Sequence, residues 1–389
     1  MASMGFTRLG GGSFGEVFAK NMNTAVKISK TDNNIDLQSA SREIHTFRIV
    51  KSSHSVPFKD AQYYDRGINI LMKRADMNLY VLPKRGLSAD TIYNYTVQLT
   101  CALRDLHEMS FVHRDIKPEN ILVKGEKLWL CDFGSSRQFS DEYVNQTGYI
   151  VTRQYRAPEL LKLKTDTAKY TKKMDIWSLG AVIYELIYQR QMSPGNDGKE
   201  CLSFIETVSV PENERMNERV KAVVCGCLKT DPNERFDMNE IHDALDISYE
   251  CVELKLAPVQ PDAETYNSVT WNSRKEYFEL LNDEYPELHS VLAHAILLFD
   301  YGQKIENLEL RFYCAVIFSS FIFGDSSFEL LKSMKELMEN GYDTDVRVTI
   351  ASYICKSEVC ENSAWHSNEY TWDDFLVKAL NNPLKRKKS

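Results

Sequence analysis

The 389-residue chain lacks any apolar run long enough to cross a bilayer. Its greasiest stretch, 312–323, is broken by Ser319 and Ser320 and falls short of the roughly 20 residues a span needs. No basic segment followed by a short apolar one opens the chain, so no export signal is expected. The nine cysteines include no zinc-like CxxC pair, which points to a reducing compartment rather than to a cysteine-built scaffold. Positive charge is in deficit: the formal net charge of -8 argues against general nucleic-acid binding. Solenoid-period repeats and low-complexity blocks are also missing. These absences leave an intracellular protein, cytoplasmic or nuclear, with neither membrane nor nucleic acid as partner.

What is present fits a folded chain. An apolar share of 43% with 26% charged residues belongs to a packed protein, and the length suits two domains better than one core. Between residues 7 and 70, short β segments alternate with glycine and asparagine turns, and one helix is expected over 37–50. From Ser88 the pattern becomes helical, with Ile92, Tyr95, Thr96, Leu99, Leu103 and Leu106 recurring every three or four residues. A hairpin over 121–130 follows. Residues 174–188 are almost wholly apolar and predict a helix buried on all sides. Further helices run to about 245, and Pro258 and Pro261 mark a linker.

Chemistry is concentrated in a few short motifs. Leu9-Gly10-Gly11-Gly12-Ser13-Phe14-Gly15-Glu16-Val17 is a glycine-rich turn whose backbone can approach phosphates closely, with an aromatic tip to cover them. Twelve residues past Gly15, the alternating stretch Thr24-Ala25-Val26-Lys27 ends in a lysine. That lysine reads either as an exposed edge-strand cation or as a phosphate ligand held by a carboxylate. Ser41-Arg42-Glu43-Ile44, on the expected helix, supplies a carboxylate. Then come His113-Arg114-Asp115-Ile116-Lys117-Pro118-Glu119-Asn120 and, twelve residues after Asn120, Asp132-Phe133-Gly134.

In order and spacing this set resembles the eukaryotic Ser/Thr protein kinases. The resemblance implies an α+β, bilobal fold over 6–248, with a β-rich N-lobe (about 6–72) and an α-helical C-lobe (about 76–248). It implies ATP and Mg2+ as cofactors and Ser/Thr hydroxyls of proteins as substrates. Phosphoryl transfer asks mainly for positioning and charge neutralisation. Asp115 is then the acceptor of the substrate proton, and Lys117 steadies the γ-phosphate. Asn120 and Asp132 hold Mg2+, a hard cation that favours oxygen. Lys27 pairs with Glu43 only when their helix is swung inward, which makes the pair a switch. Gly10, Gly12, Ser13, Phe14, Gly15, Val17, Ala25, Met72, Leu122 and Cys131 line the nucleotide site, with Met72 behind the adenine. His113 and Phe47 are packing around it. A pseudokinase scaffold is the alternative; such proteins generally lose the strand lysine or one of the two aspartates, and Lys27, Asp115 and Asp132 are all present here.

Between Asp132 and Ala157-Pro158-Glu159 lies Thr147-Gly148-Tyr149, similar to the TxY motif of MAP kinases within the CMGC group. That likeness implies an upstream activating kinase acting on Thr147 and Tyr149. It makes Arg42, Arg114 and Arg137 a clamp for phosphothreonine. Thr152 is expected to bond Asp115 and Lys117. Asp175 is expected to tie the buried helix to the catalytic loop, and Arg235 to pair with Glu159. The stretch from Asp175 to Arg235 is shorter than the group's usual, so the group's insert is missing or trimmed.

Past a linker over 249–270, five helical segments (273–281, 286–301, 306–323, 327–339, 345–355) predict a small all-helical domain over 271–381. Two consecutive apolar helices there are faintly similar to a cyclin box, which would make the domain an activator in cis; the equal alternative is an unrelated helical bundle packed on the kinase lobe. Residues 382–389 form a basic tail.

Overall fold

A computed structural model describes residues 7–247, apart from short stretches at 13–14, 31–33, 65–66, 84–85, 139–143, 148–152, 163–166 and 196. The all-helical domain expected over 271–381 and the basic tail lie outside the described residues.

The first half of the fold is a five-stranded antiparallel sheet carrying one helix. Strands β1 (Thr7–Gly12), β2 (Gly15–Asn21) and β3 (Thr24–Lys30) precede α1 (Asn34–Ile49), and β4 (Phe58–Tyr64) and β5 (Gly67–Lys73) follow it, in the sheet order β1-β2-β3-β5-β4. With β2 on one side and β5 on the other, β3 is interior, which disposes of the edge-strand reading of Lys27. Ala25 sits opposite Met72, and Lys27 lies between Val17 and Ile70. Helix α1 is buried along nearly its whole length: Leu37, Ala40, Ile44 and Phe47 face apolar neighbours, while Arg42, Glu43 and His45 are buried polar groups. A buried helix bearing charge needs partners from other elements.

The second half is mostly helical. After β6 (Met77–Asn78) comes α2 (Ala89–Glu108), started by the Ser88 side chain, which accepts the Thr91 amide. Its anticipated stripe of Ile92, Tyr95, Thr96, Leu99, Leu103 and Leu106 is the buried face. The short β7 (Phe111–Val112), the hairpin β8 (Ile121–Lys124) and β9 (Lys127–Leu130), and β10 (Arg137–Gln138) carry the loops of the site. Strand β10 pairs with β7, and β6 pairs with β8. Strand β11 (Val144–Thr147) pairs antiparallel with β12 (Thr167–Tyr170), on the far side of the short helix α3 (Pro158–Leu161).

The helix expected at 174–188 is α4 (Lys172–Tyr188), buried continuously from Met174 to Ile187. It is the post on which the rest stands, with α2 and α6 (Glu218–Cys227) packed against it. A Cβ at Gly180 would come within 2.6 Å of Cys227 Cβ, so α4 and α6 approach this closely only with glycine there. Helices α5 (Gly198–Glu206) and α7 (Met238–Leu245) complete the set, α7 opening with an Asp237–Glu240 capping box. The guanidinium of Arg235, wholly buried over Trp177, grips both oxygens of Glu159 at 2.8 and 2.9 Å. This is the pairing expected from the sequence.

Candidate active site

The interior position of Lys27 on β3 directs its ammonium under the sheet. There it meets Glu43 Oε2 at 2.6 Å and Asp132 Oδ1 at 2.7 Å. Three elements are thus joined at one nitrogen: β3, α1 and the loop after β9. Helix α1 is in its inward position, because Glu43 could not otherwise reach β3. Asp132 holds left-handed backbone angles (φ 63, ψ 62), a conformation that aspartate tolerates better than most residues. The turn after it is pressed on α1, where a Cβ at Gly134 would overlap the Ser39 hydroxyl.

Burial works against each of these charges. Burial alone would lower the Lys27 ammonium, but Asp132 and Glu43 outweigh it and keep the lysine protonated far above its ordinary value. Burial also tends to raise Asp132, yet Lys27 holds it below the usual carboxylate range. Glu43 is pushed up to about 7, by burial first and then by the charge of Asp132, against the pull of Lys27. One cation serves two carboxylates, and the strain of the surplus negative charge is felt at the more deeply buried one, which takes up a proton most readily.

Beneath this trio lies a second cluster. Asp115 Oδ2 is 2.7 Å from Lys117 Nζ and accepts from Asn120 Nδ2 at 3.0 Å. The same Asn120 nitrogen reaches the Asp115 carbonyl at 2.8 Å. Because the amide turns its nitrogen towards Asp115, its oxygen points away from it. The loop is fixed from below by Asp175, whose carboxylate accepts the amides of His113 (2.7 Å) and Arg114 (2.9 Å) and bonds His107 Nε2 (3.0 Å). The Asp115 amide donates to His113 Nδ1 at 3.2 Å, so the ring proton lies on Nε2, which donates to the Cys131 carbonyl at 3.1 Å. That bond ties the Asp115 loop to the Asp132 loop. Rings reinforce it: Phe133 contacts His113 at 5.3 Å and Phe47 of α1 at 5.1 Å.

Above the clusters, Gly10 sits opposite Val17 and Gly12 opposite Gly15 in the β1–β2 hairpin. Ser13 and Phe14 lie outside the described residues. Ala25 and Met72 are buried, while Val17, Leu122 and Cys131 are partly covered. Burial, then the neighbouring Asp132 and Glu43, push the Cys131 thiol well up, so it stays protonated as pocket wall. A Cβ at Gly15 would meet the Ile28 carbonyl at 2.5 Å, so the hairpin backbone lies closer to β3 than a side chain permits. Oxygen donors on Asp132 and Asn120, a cationic lysine and a glycine hairpin make a donor set that fits a nucleotide with Mg2+.

Comparison with known proteins agrees with this geometry. Residues 5–245 match the protein kinase domain. The chain belongs to the protein kinase family. Mitogen-activated protein kinase 6 of Arabidopsis thaliana is 31% identical over 235 residues, covering 56% of this chain and 58% of that protein. The human MAPK/MAK/MRK overlapping kinase is 34% identical over 215 residues, covering 52% and 50%. The Saccharomyces cerevisiae serine/threonine-protein kinase RIM11/MSD1 is 34% identical over 227 residues, covering 54% and 60%. The matched part spans about half to three-fifths of the length of these relatives. Two of the three carry the MAP-kinase name, the group to which Thr147-Gly148-Tyr149 pointed.

The remaining kinase motif residues are placed as follows. Arg42 on α1, Arg114 before Asp115 and Arg137 on β10 are all buried, and Arg114 Nε donates to the Ser135 carbonyl at 2.6 Å. Arg114 has φ 70, a left-handed value that a bulky residue holds only when its surroundings impose it. Thr147 ends β11 opposite Thr167. Tyr149 and Thr152 lie outside the described residues. Sequence reasoning missed His107, although its place on the buried face at the end of α2 was a signal. It also missed the buried bond from Tyr155 Oη to Glu185 Oε2 (2.7 Å), which seats the segment before Ala157 on α4.

Proposed function

We propose that the chain is an ATP- and Mg2+-dependent protein kinase that phosphorylates Ser/Thr hydroxyls of protein substrates, under control of phosphorylation at Thr147 and Tyr149. One observation supports the reading above others: Lys27, Glu43 and Asp132 meet at a single nitrogen directly above a loop in which Asp115, Lys117 and Asn120 are mutually bonded. When bound, Mg-ATP supplies the transferable γ-phosphoryl group and the cation that offsets its charge.

The chain's own residues do the rest. Lys27 grips the phosphates and is kept in line by Glu43. Asp132 and Asn120 present oxygens to the metal. Asp115, its carboxylate fixed by Lys117 and Asn120, would take the proton of the incoming hydroxyl as the new P–O bond forms and the bond from the γ-phosphorus to the ADP oxygen breaks, with ADP as the leaving group. Lys117 sits close enough to Asp115 to offset charge on the transferring group. Val17, Ala25, Met72, Leu122 and Cys131 form the apolar wall of the nucleotide pocket. An upstream kinase supplies the activating phosphates.

The test is transfer of labelled γ-phosphate to a basic protein, with Asp115→Asn alongside. Loss of the base should lower the rate by about 10²- to 10⁴-fold while nucleotide binding persists. Equal background rates for both proteins would instead mark a scaffold that binds nucleotide without transferring it.

A further inference from the structure

His45 and Gln138 belong to none of the motifs above, yet they join two separate elements of the site, α1 and β10. His45 lies two residues beyond Glu43 on α1 and is wholly buried. Gln138 ends β10, four residues past Gly134, and is buried as well. His45 Nε2 is 3.3 Å from Gln138 Oε1, and Gln138 Nε2 donates to the Met109 carbonyl at 3.4 Å. The donation to a carbonyl fixes which end of the amide faces the histidine. The oxygen faces His45, so His45 Nε2 carries the proton. Gln138 also pairs through its backbone with Phe111 on β7, and the Phe111 ring lies 5.7 Å from the His45 ring.

Residues two apart on a helix point about 200° from one another. Glu43 is therefore held from the side of the sheet by Lys27, and His45 from the other side by β10. Both bonds are long, so each contributes modestly. Burial makes the loss of one partner dearer than the bond itself, since the other is left without a match in a dry site.

We propose that His45 and Gln138 are positioning residues: their bond pins α1 to the strand following Gly134 and thereby keeps Glu43 against Lys27 without a second protein pressing on the helix. The inward state of α1 then depends on β10 being paired with β7. Ordering of the segment after Gly134 and assembly of the lysine–glutamate pair become one event. This inference rests on the kinase reading above and deepens its regulation.

Two measurements on the full-length chain separate the inference from that reading. Amide exchange across 34–49 reports α1 whether or not phosphate is transferred. His45→Leu and Gln138→Leu should each lower protection there about tenfold, with α4 unchanged. His45→Gln, which can still donate to Gln138 Oε1, should restore it, and the double leucine variant should lose no more than either single one. Transfer to a basic protein should follow the same order, with kcat falling more than KM rises. Unchanged α1 exchange in the single variants, or losses that multiply in the double variant, would overturn the latch. Wild-type transfer no faster than Asp115→Asn would instead overturn the kinase reading, while the exchange result still judged the latch.

Discussion

Asp175 accepts the backbone amide of His113 at 2.7 Å from inside a helix that is buried on every side. The residue bonded to the Asp115 loop is thus part of a helix buried continuously from Met174 to Ile187. Burial opposes its charge, but the bond from His107, the nearby histidines and the His113 amide hold its carboxyl below the usual range. A carboxyl depressed in the folded state contributes stability that is present above its unfolded pKa and disappears as pH falls through the folded one. Asp175→Asn should lower stability at pH 7 by about 3 kcal/mol, with a fall in kcat. The variant should also lose part of the acid sensitivity below about pH 4. Thermal melts of both proteins across that range check it; parallel curves would reject the assignment.

Glu43 has the opposite sign. Its pKa is raised to about 7 by burial and by Asp132, so the folded state binds a proton that the unfolded chain has already released. Stability should fall as pH rises from about 4.5 to 7, over the window between the two values. Glu43→Gln should flatten that slope. The same variant should transfer phosphate about a hundredfold more slowly, because Lys27 loses its guide. Melting temperature against pH, in nucleotide-free buffer, distinguishes the two proteins.

How much of this was legible beforehand follows from the kind of signal each residue carries. Lys27, Glu43, Asp115, Asn120 and Asp132 were readable because they stand in short motifs of fixed order and spacing, in which few residue types can do the proposed chemistry. The α2 face and the buried α4 were readable from period and from unbroken apolarity. The β11–β12 pairing was not, because two short polar strands separated by a helix leave no periodic trace. His45 and Gln138 stand 93 residues apart, and neither residue type is diagnostic. Such a contact exists only once β7, β10 and α1 are folded together.

The two ends of the glycine hairpin should respond differently to the same methyl group. Gly15 has φ +144, and a Cβ there would meet the Ile28 carbonyl at 2.5 Å, whereas a Cβ at Gly10 meets nothing within 4 Å. Gly15→Ala should distort the hairpin at a cost of roughly 1–3 kcal/mol and weaken ATP binding to match. Gly10→Ala adds no strain to the hairpin itself, changing stability by no more than about 1 kcal/mol, and should cost less affinity than Gly15→Ala. Titration with a fluorescent nucleotide analogue compares them directly; equal losses would mean that the strain at Gly15 is not what shapes the site.

Thr147 is the position at which control can be tested without touching catalytic atoms. It ends β11, so its backbone is held by Thr167 of β12, a strand on the other side of Ala157-Pro158-Glu159. A phosphate there adds nearly two negative charges and three acceptor oxygens. Arg42, Arg114 and Arg137 are buried on α1, on the Asp115 loop and on β10, so a phosphate bonded to all three would tie those elements together. Bonds from guanidinium to phosphate are worth about 1.5–3 kcal/mol each. Formation of even one should raise activity tenfold or more. Protein phosphorylated at Thr147 should therefore outpace Thr147→Ala by at least about tenfold in kcat/KM, and phosphatase treatment should bring the wild type down to the variant's rate. Phosphorylated wild type and Thr147→Ala working at the same rate would remove Thr147 from the control of this kinase.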